Sequence, residues 1–145
     1  MVSLTGGIAA GSTPNVFDAN FRRLFCSQFG ALAPDSFWEA SDDELAAACN
    51  GVGAERWPRW LRVVLSVLLR PLDASSAPHD WEYSLPDKSY RRFTEANFRL
   101  AVNTCKEALY DVRPTVIPLG ILAAMLCQIF GWHAYRTGSP GSPES

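Results

Sequence analysis

The sequence predicts an all-α protein, a single domain of five to six helices. Three observations carry this. Apolar residues recur at i, i+3 and i+4 over most of the chain, and no segment alternates with the two-residue period of a strand. Helix-start signals, such as Ser41 with Glu44 and the proline at Pro58, stand between strong breakers at Gly30, Gly51, Pro71, Pro86 and Pro114. The chain has 145 residues, of which 48% are hydrophobic and 12% aromatic, enough for one sizeable core. The expected layout is an irregular Gly/Ser/Thr-rich arm over 1–15, a helical core over 16–136 and a flexible tail over 137–145.

The first helix is expected from about Val16 to Phe29. Phe17, Phe21, Leu24 and Phe25 form its apolar stripe, and Gly30 ends it. The second opens on Ser41-Asp42-Asp43-Glu44, a serine cap with a glutamate three residues on and acids at the positive helix end. It closes at Asn50-Gly51. The third starts at Pro58 and runs as an apolar rod through Trp60, Leu61, Val64, Leu65, Leu68 and Leu69 until Pro71. A short helix begins at Ser75-Ser76 with Pro78 and carries His79, Asp80 and Tyr83 before Pro86. A longer one starts at Asp87 and Ser89, with Phe93, Phe98, Ala101, Val102, Cys105 and Leu109 inward, and breaks at Arg113-Pro114. The last helix runs from about Pro118 to Tyr135.

From Pro114 to Tyr135 the chain has no Asp, Glu, Lys or Arg, a length that can span a bilayer. Pro114, Pro118, Gln128 and His133 argue instead for a buried helix, with Ile121, Leu122, Met125 and Ile129 packed internally. Net charge is −2 and the isoelectric point about 5.6, which excludes the basic character of a nucleic-acid binder. The segment Trp57-Pro58-Arg59-Trp60 suits a split role, one tryptophan in the core and the other at the surface, with a membrane or partner contact as the alternative. The four cysteines, Cys26, Cys49, Cys105 and Cys127, form no C-x-x-C pair and lie in helical patterns, so free thiols are expected rather than a zinc site. The N-terminus lacks the layout of a secretory signal peptide.

Histidine occurs only twice, and His79 stands beside Asp80 with Tyr83 one turn later. Positions i and i+4 of a helix share a face, whereas i and i+1 diverge by about 100°. His79 and Tyr83 therefore look one way and Asp80 another. This separates a base that reaches water from a carboxylate that holds a cation. A hard cation such as calcium takes several oxygen ligands, and the loop Cys49-Asn50-Gly51-Val52-Gly53 can supply carbonyls from Asn50, Gly51 and Gly53. Glu95, on the helix that follows, is placed to fix the tautomer of His79. The alternative is an ordinary buried polar cluster, with Asn50-Gly51 merely stopping a helix and Glu95 a solvated acid.

His79-Asp80-Trp81-Glu82-Tyr83 resembles the H-D-x-x-Y signature of the phospholipase A2 superfamily, and the Gly51/Gly53 loop resembles its glycine-rich calcium loop. Thr94-Glu95-Ala96-Asn97-Phe98 looks like its second catalytic helix, with Glu95 where the family carries Asp. More closely, Cys49 to Tyr135 is similar to small phage-encoded proteins of uncharacterised function, with H-D-x-x-Y followed by A-D-x-x-F and an aromatic/Gly ending like Ile129-Phe130-Gly131-Trp132. The resemblance implies a phospholipase A2-like core and a calcium-dependent lipid or ester hydrolase, or a degenerate descendant. In it His79 is the base, Glu95 orients it, Tyr83 hydrogen-bonds behind it, and Asp80 with Asn50, Gly51 and Gly53 holds calcium. Two further alternatives remain open. One is a non-catalytic virion or phage-associated structural protein, with other virion proteins as partners. The other is a small membrane-associated protein using its last helix. A soluble, virion-associated or host-cytoplasmic location follows more naturally than secretion through a signal peptide.

Overall fold

The computed structural model describes residues 14–49 and 57–137, with side chains from residue 18 in the first stretch. The expectations for the arm over 1–13, for Asn50, Gly51 and Gly53, and for the tail beyond 137 lie outside the described residues. The protein is all-helical, and no strand occurs among the described residues. The helices are α1 (Pro14–Phe29), α2 (Asp35–Glu39), α3 (Asp42–Cys49), α4 (Arg59–Leu68), α5 (Ser76–Ser84), α6 (Tyr90–Tyr110), α7 (Ile117–Phe130) and α8 (Trp132–Thr137). Two 3-10 turns, Arg70–Ser75 and Pro114–Val116, join α4 to α5 and α6 to α7. The described residues thus hold eight helices rather than five or six. The additions are the one-turn α2, whose five residues are too few for a periodic signal, and α8, split from α7 at Gly131.

The termini follow local chemistry. Ser41 and Glu44 form the reciprocal capping box: Glu44 N donates to Ser41 Oγ at 3.1 Å, and Ser41 N donates to Glu44 Oε1 at 3.0 Å. Ser89 caps α6, its hydroxyl accepting from Arg92 N at 3.2 Å. Gly30 adopts φ +75°, so Ala31 N can turn back to Cys26 O at 3.0 Å and close α1. At the end of α6 the same wrap is made by Arg113 N to Ala108 O at 2.7 Å, but with Val112 at φ 57°.

Three inward faces differ from the sequence expectation, each for a physical reason. On α1 the core side is Ala19, Cys26 and Phe29, while Phe21 is 44% and Leu24 60% exposed. Two arginines turn inward instead because they find acceptors. Arg23 donates to the carbonyls of Phe37 and Ala40 at 3.1 and 2.8 Å, and Arg22 donates to Ser76 Oγ at 3.1 Å. On α6 the buried stripe is Phe93, Ala96, Asn97, Leu100, Asn103, Thr104, Glu107 and Ala108, whereas Phe98 and Leu109 point to solvent. Its polar members are satisfied. Asn103 bridges Leu32 N and O at 2.7 and 2.9 Å, and Glu107 accepts from Ser75 N and Oγ at 3.0 and 2.7 Å.

On α7 the buried residues are small, Gly120, Ala123, Ala124 and Cys127. A Cβ at Gly120 would lie 2.2 Å from Thr104 Oγ1, so the backbone of α7 packs directly against the Thr104 side chain of α6. Such a seam has no room for large side chains, and Ile121, Leu122, Met125 and Ile129, expected inside, are 39–64% exposed. No described helix is long and apolar enough to cross a membrane. The four cysteines are free thiols.

Candidate active site

The site is assembled by the abrupt start of α5. Pro71 stops α4, and the 3-10 turn that follows is anchored by Glu107 through Ser75. Ser75 therefore spends its hydroxyl on Glu107 and does not cap α5. The anchored start fixes the rotation of α5, which turns His79 and Tyr83 toward α6 and α7.

His79 is 5% exposed, and its Nε2 lies 2.9 Å from Asn97 Oδ1. Tyr83 donates its hydroxyl to the same oxygen at 2.7 Å, and its ring lies 4.2 Å from the imidazole. Asn97 Nδ2 donates to Gln128 Oε1 at 2.8 Å, and Gln128 Nε2 donates to Tyr90 Oη at 3.0 Å and to Thr94 Oγ1 at 3.2 Å. With the Asn97 amide oriented so that Oδ1 faces His79, the ring nitrogen facing it is assigned as Nε2–H. Nδ1 is then the unprotonated nitrogen, free to act as a base. Burial pushes the His79 pKa down to about 4, with the Asn97 hydrogen bond working weakly the other way, so the ring is neutral near pH 7.

The expected approach of Glu95 to His79 is not the one found. Glu95 pairs with Arg91 at 3.2 Å on the outer side of α6. Positions 95 and 97 are about 200° apart around a helix, so only one of them can face α5. The residue that sequence reasoning missed, Asn97, carried a signal. In A-D-x-x-F an alanine precedes the acid, and Ala96-Asn97-Phe98-Arg99-Leu100 keeps that alanine, with Asn for Asp and Leu for Phe. The register chosen around Glu95 kept the acid and the Phe but lost the alanine. Tyr83 lies where the spacing placed it, on the His79 face.

Asp80 points away from this network. Burial pushes its pKa up to about 7, against the attraction of Arg22 and together with repulsion from Asp73. Among the described residues no donor hydrogen-bonds to it. Arg22 meanwhile is held by Asp18 at 3.0 Å and Asp73 at 3.7 Å. Asp80 is half-buried and no described donor holds it, so its carboxylate fits one ligand position for a cation. Among the described residues no group of three or more His, Cys, Asp or Glu could hold a metal ion. The other expected ligands, Asn50, Gly51 and Gly53, lie outside the described residues.

No protein-family model, curated protein or solved structure matches this chain. The geometry of its own residues therefore carries the functional argument.

Around the dyad the packing is aromatic. Tyr83 meets Tyr135 edge-on at 4.9 Å, and Phe93 meets Trp132 at 5.3 Å. Lys88 lies 4.5 Å over the Tyr135 ring and donates to the Tyr83 carbonyl, and its pKa is lowered to about 8 by burial. Glu82, one residue before Tyr83, is buried and paired with Arg99, while its other oxygen has no partner among the described residues. His133 is exposed.

Proposed function

We propose that the chain is a phage-type, phospholipase A2-like protein with a calcium-dependent lipid or ester hydrolase site, attenuated because an amide replaces the carboxylate of its dyad. The observation that carries this reading is the pair of contacts on one oxygen, His79 Nε2 and Tyr83 Oη on Asn97 Oδ1. That pair serves the roles of orienting residue and supporting tyrosine on two adjacent helices. Nδ1 of His79 takes a proton from water, which attacks an ester carbonyl, and returns it to the departing alkoxide as the ester C–O bond breaks, while Asn97 holds the tautomer that leaves Nδ1 free. Tyr83 fixes the rotation of the Asn97 amide. Calcium, when bound, would supply positive charge to the developing oxyanion, with Asp80 as the described residue to hold it and Asn50, Gly51 and Gly53 as its expected companions.

The weakness of the arrangement is electrostatic. Once His79 takes a proton it becomes a buried cation, and Asn97 offers a dipole where a carboxylate would offer a full charge. This same observation favours a second reading, a virion-associated structural protein that keeps the architecture without turnover. Hydrolysis of a phospholipid or short-chain ester with and without calcium separates the two. The hydrolase reading expects a calcium-dependent rate that His79→Ala abolishes while circular dichroism stays native. It is lost if calcium neither supports hydrolysis nor raises the melting temperature, since a ligand of the native state must stabilise it.

A further inference from the structure

The largest unexplained feature is an apolar surface shared by α4 and α7. Val63 and Val67 of α4 are 54% and 53% exposed, and Met125 and Ile129 of α7 are 53% and 64% exposed. Trp60 and Phe130, each about half exposed, meet edge-on at 5.1 Å and join the two helices into one face. Scattered apolar residues are ordinary on a surface, but a continuous two-helix face is not.

Its charge says what covers it. Arg59 and Arg62 are exposed on α4, and no carboxylate pairs with them among the described residues, whereas Arg70, past the end of that helix, borders a cavity that also holds Asp18, Asp73, Glu107 and Asp111. No Asp or Glu occurs between Trp57 and Leu72, and none between Pro114 and Tyr135. In a chain of net charge −2, the charges described on this face are cationic. A second copy docked by a two-fold axis would set this arginine group against its own image, which is repulsive. An apolar face with a tryptophan and a cationic rim suits a bilayer surface whose headgroups are anionic. Neither helix spans a membrane, so they would lie in its plane.

We propose that the α4–α7 face docks onto anionic lipid bilayers, with Trp60, Val63 and Met125 entering the acyl boundary and Arg59 and Arg62 on the headgroups. This goes beyond the hydrolase reading and holds whether or not His79 turns over.

Flotation of the full chain with phosphatidylcholine vesicles, with and without phosphatidylglycerol, tests it in calcium-free buffer. Binding to the anionic vesicles is expected, falling with added salt. Arg59→Glu/Arg62→Glu should weaken partitioning by about tenfold or more, and Val63→Asp/Met125→Asp should do the same. All four positions are exposed, so circular dichroism should remain native, and the salt dependence of the wild type tests the charge argument even if a variant fails to fold. The proposal is overturned if the chain does not float with anionic vesicles, or if both folded variants bind like wild type. It is overturned equally by a dimeric mass in light scattering that Val63→Asp/Met125→Asp reduces to a monomer, which would make the face a contact between copies.

Discussion

Asn97 carries more of the account than any other residue, because its oxygen receives both His79 and Tyr83. The burial of His79 against it has a thermodynamic signature. His79 is held at a pKa of about 4 when folded, against 6.5 in its ordinary state. Above pH 6.5 both folded and unfolded chains carry it neutral. Between about 6.5 and about 4 the unfolded chain binds a proton that the folded chain refuses, so this group lowers stability as pH falls, by up to about 3 kcal/mol. Urea midpoints of wild type and His79→Gln from pH 7.5 to pH 4 should therefore converge toward the acid end, the wild type losing stability faster. Asp80 acts with the opposite sign. Its pKa is raised to about 7, so the stability it contributes at low pH is lost as pH rises through the interval between the ordinary carboxylate range and about 7. In calcium-free buffer at pH 8, Asp80→Asn should melt a few degrees above wild type, and the gap should close toward pH 4. His79, Asp80 and Tyr83 were legible in the sequence because helical spacing alone assigns them faces. Asn97 was not, because a search for a carboxylate passes over an amide, and Glu95 stood two positions away.

At the scale of elements, the caps and breakers were readable and the inward faces were not. Ser41, Ser89, Gly30 and Pro71 act through their own backbone neighbours, which is information a short window of sequence contains. The faces of α1, α6 and α7 depend on partners far along the chain. Arg22 and Arg23 turn inward only because carbonyls and hydroxyls from distant residues meet them, and α7 buries its small residues only because Thr104 is opposite. The tight seam predicts that Gly120→Ala destabilises the protein by about 1–3 kcal/mol in chemical denaturation, since a backbone shift is needed to admit the methyl. The two matching helix ends differ in one respect that can be repaired. Val112 holds φ 57°, a conformation that is strained for a β-branched residue, whereas Gly30 does the same work at φ +75° without strain. Val112→Gly should raise the stability of the chain by about 1 kcal/mol, read as a higher urea midpoint.

For the whole molecule, helical periodicity with punctuation was sufficient for the all-α class. It could not foresee α2 or the split between α7 and α8, since one-turn helices owe their existence to packing. Phe37 of α2 is fully buried beside Ala19, Leu45 and Trp81, and α8 is held by Tyr135, which is 1% exposed. The apolar composition of α7 was plain in the sequence, but its destination was not: small side chains fill the core seam and large ones form the face assigned to a lipid surface. The central claim is that His79 and Asn97 form a hydrolytic dyad weakened by an amide. The most direct measurement is the calcium-dependent hydrolysis rate of Asn97→Asp against wild type. The account predicts a rise of about tenfold or more, because a carboxylate stabilises the imidazolium that an amide cannot. An unchanged or lower rate in a folded Asn97→Asp protein that still binds calcium would contradict it.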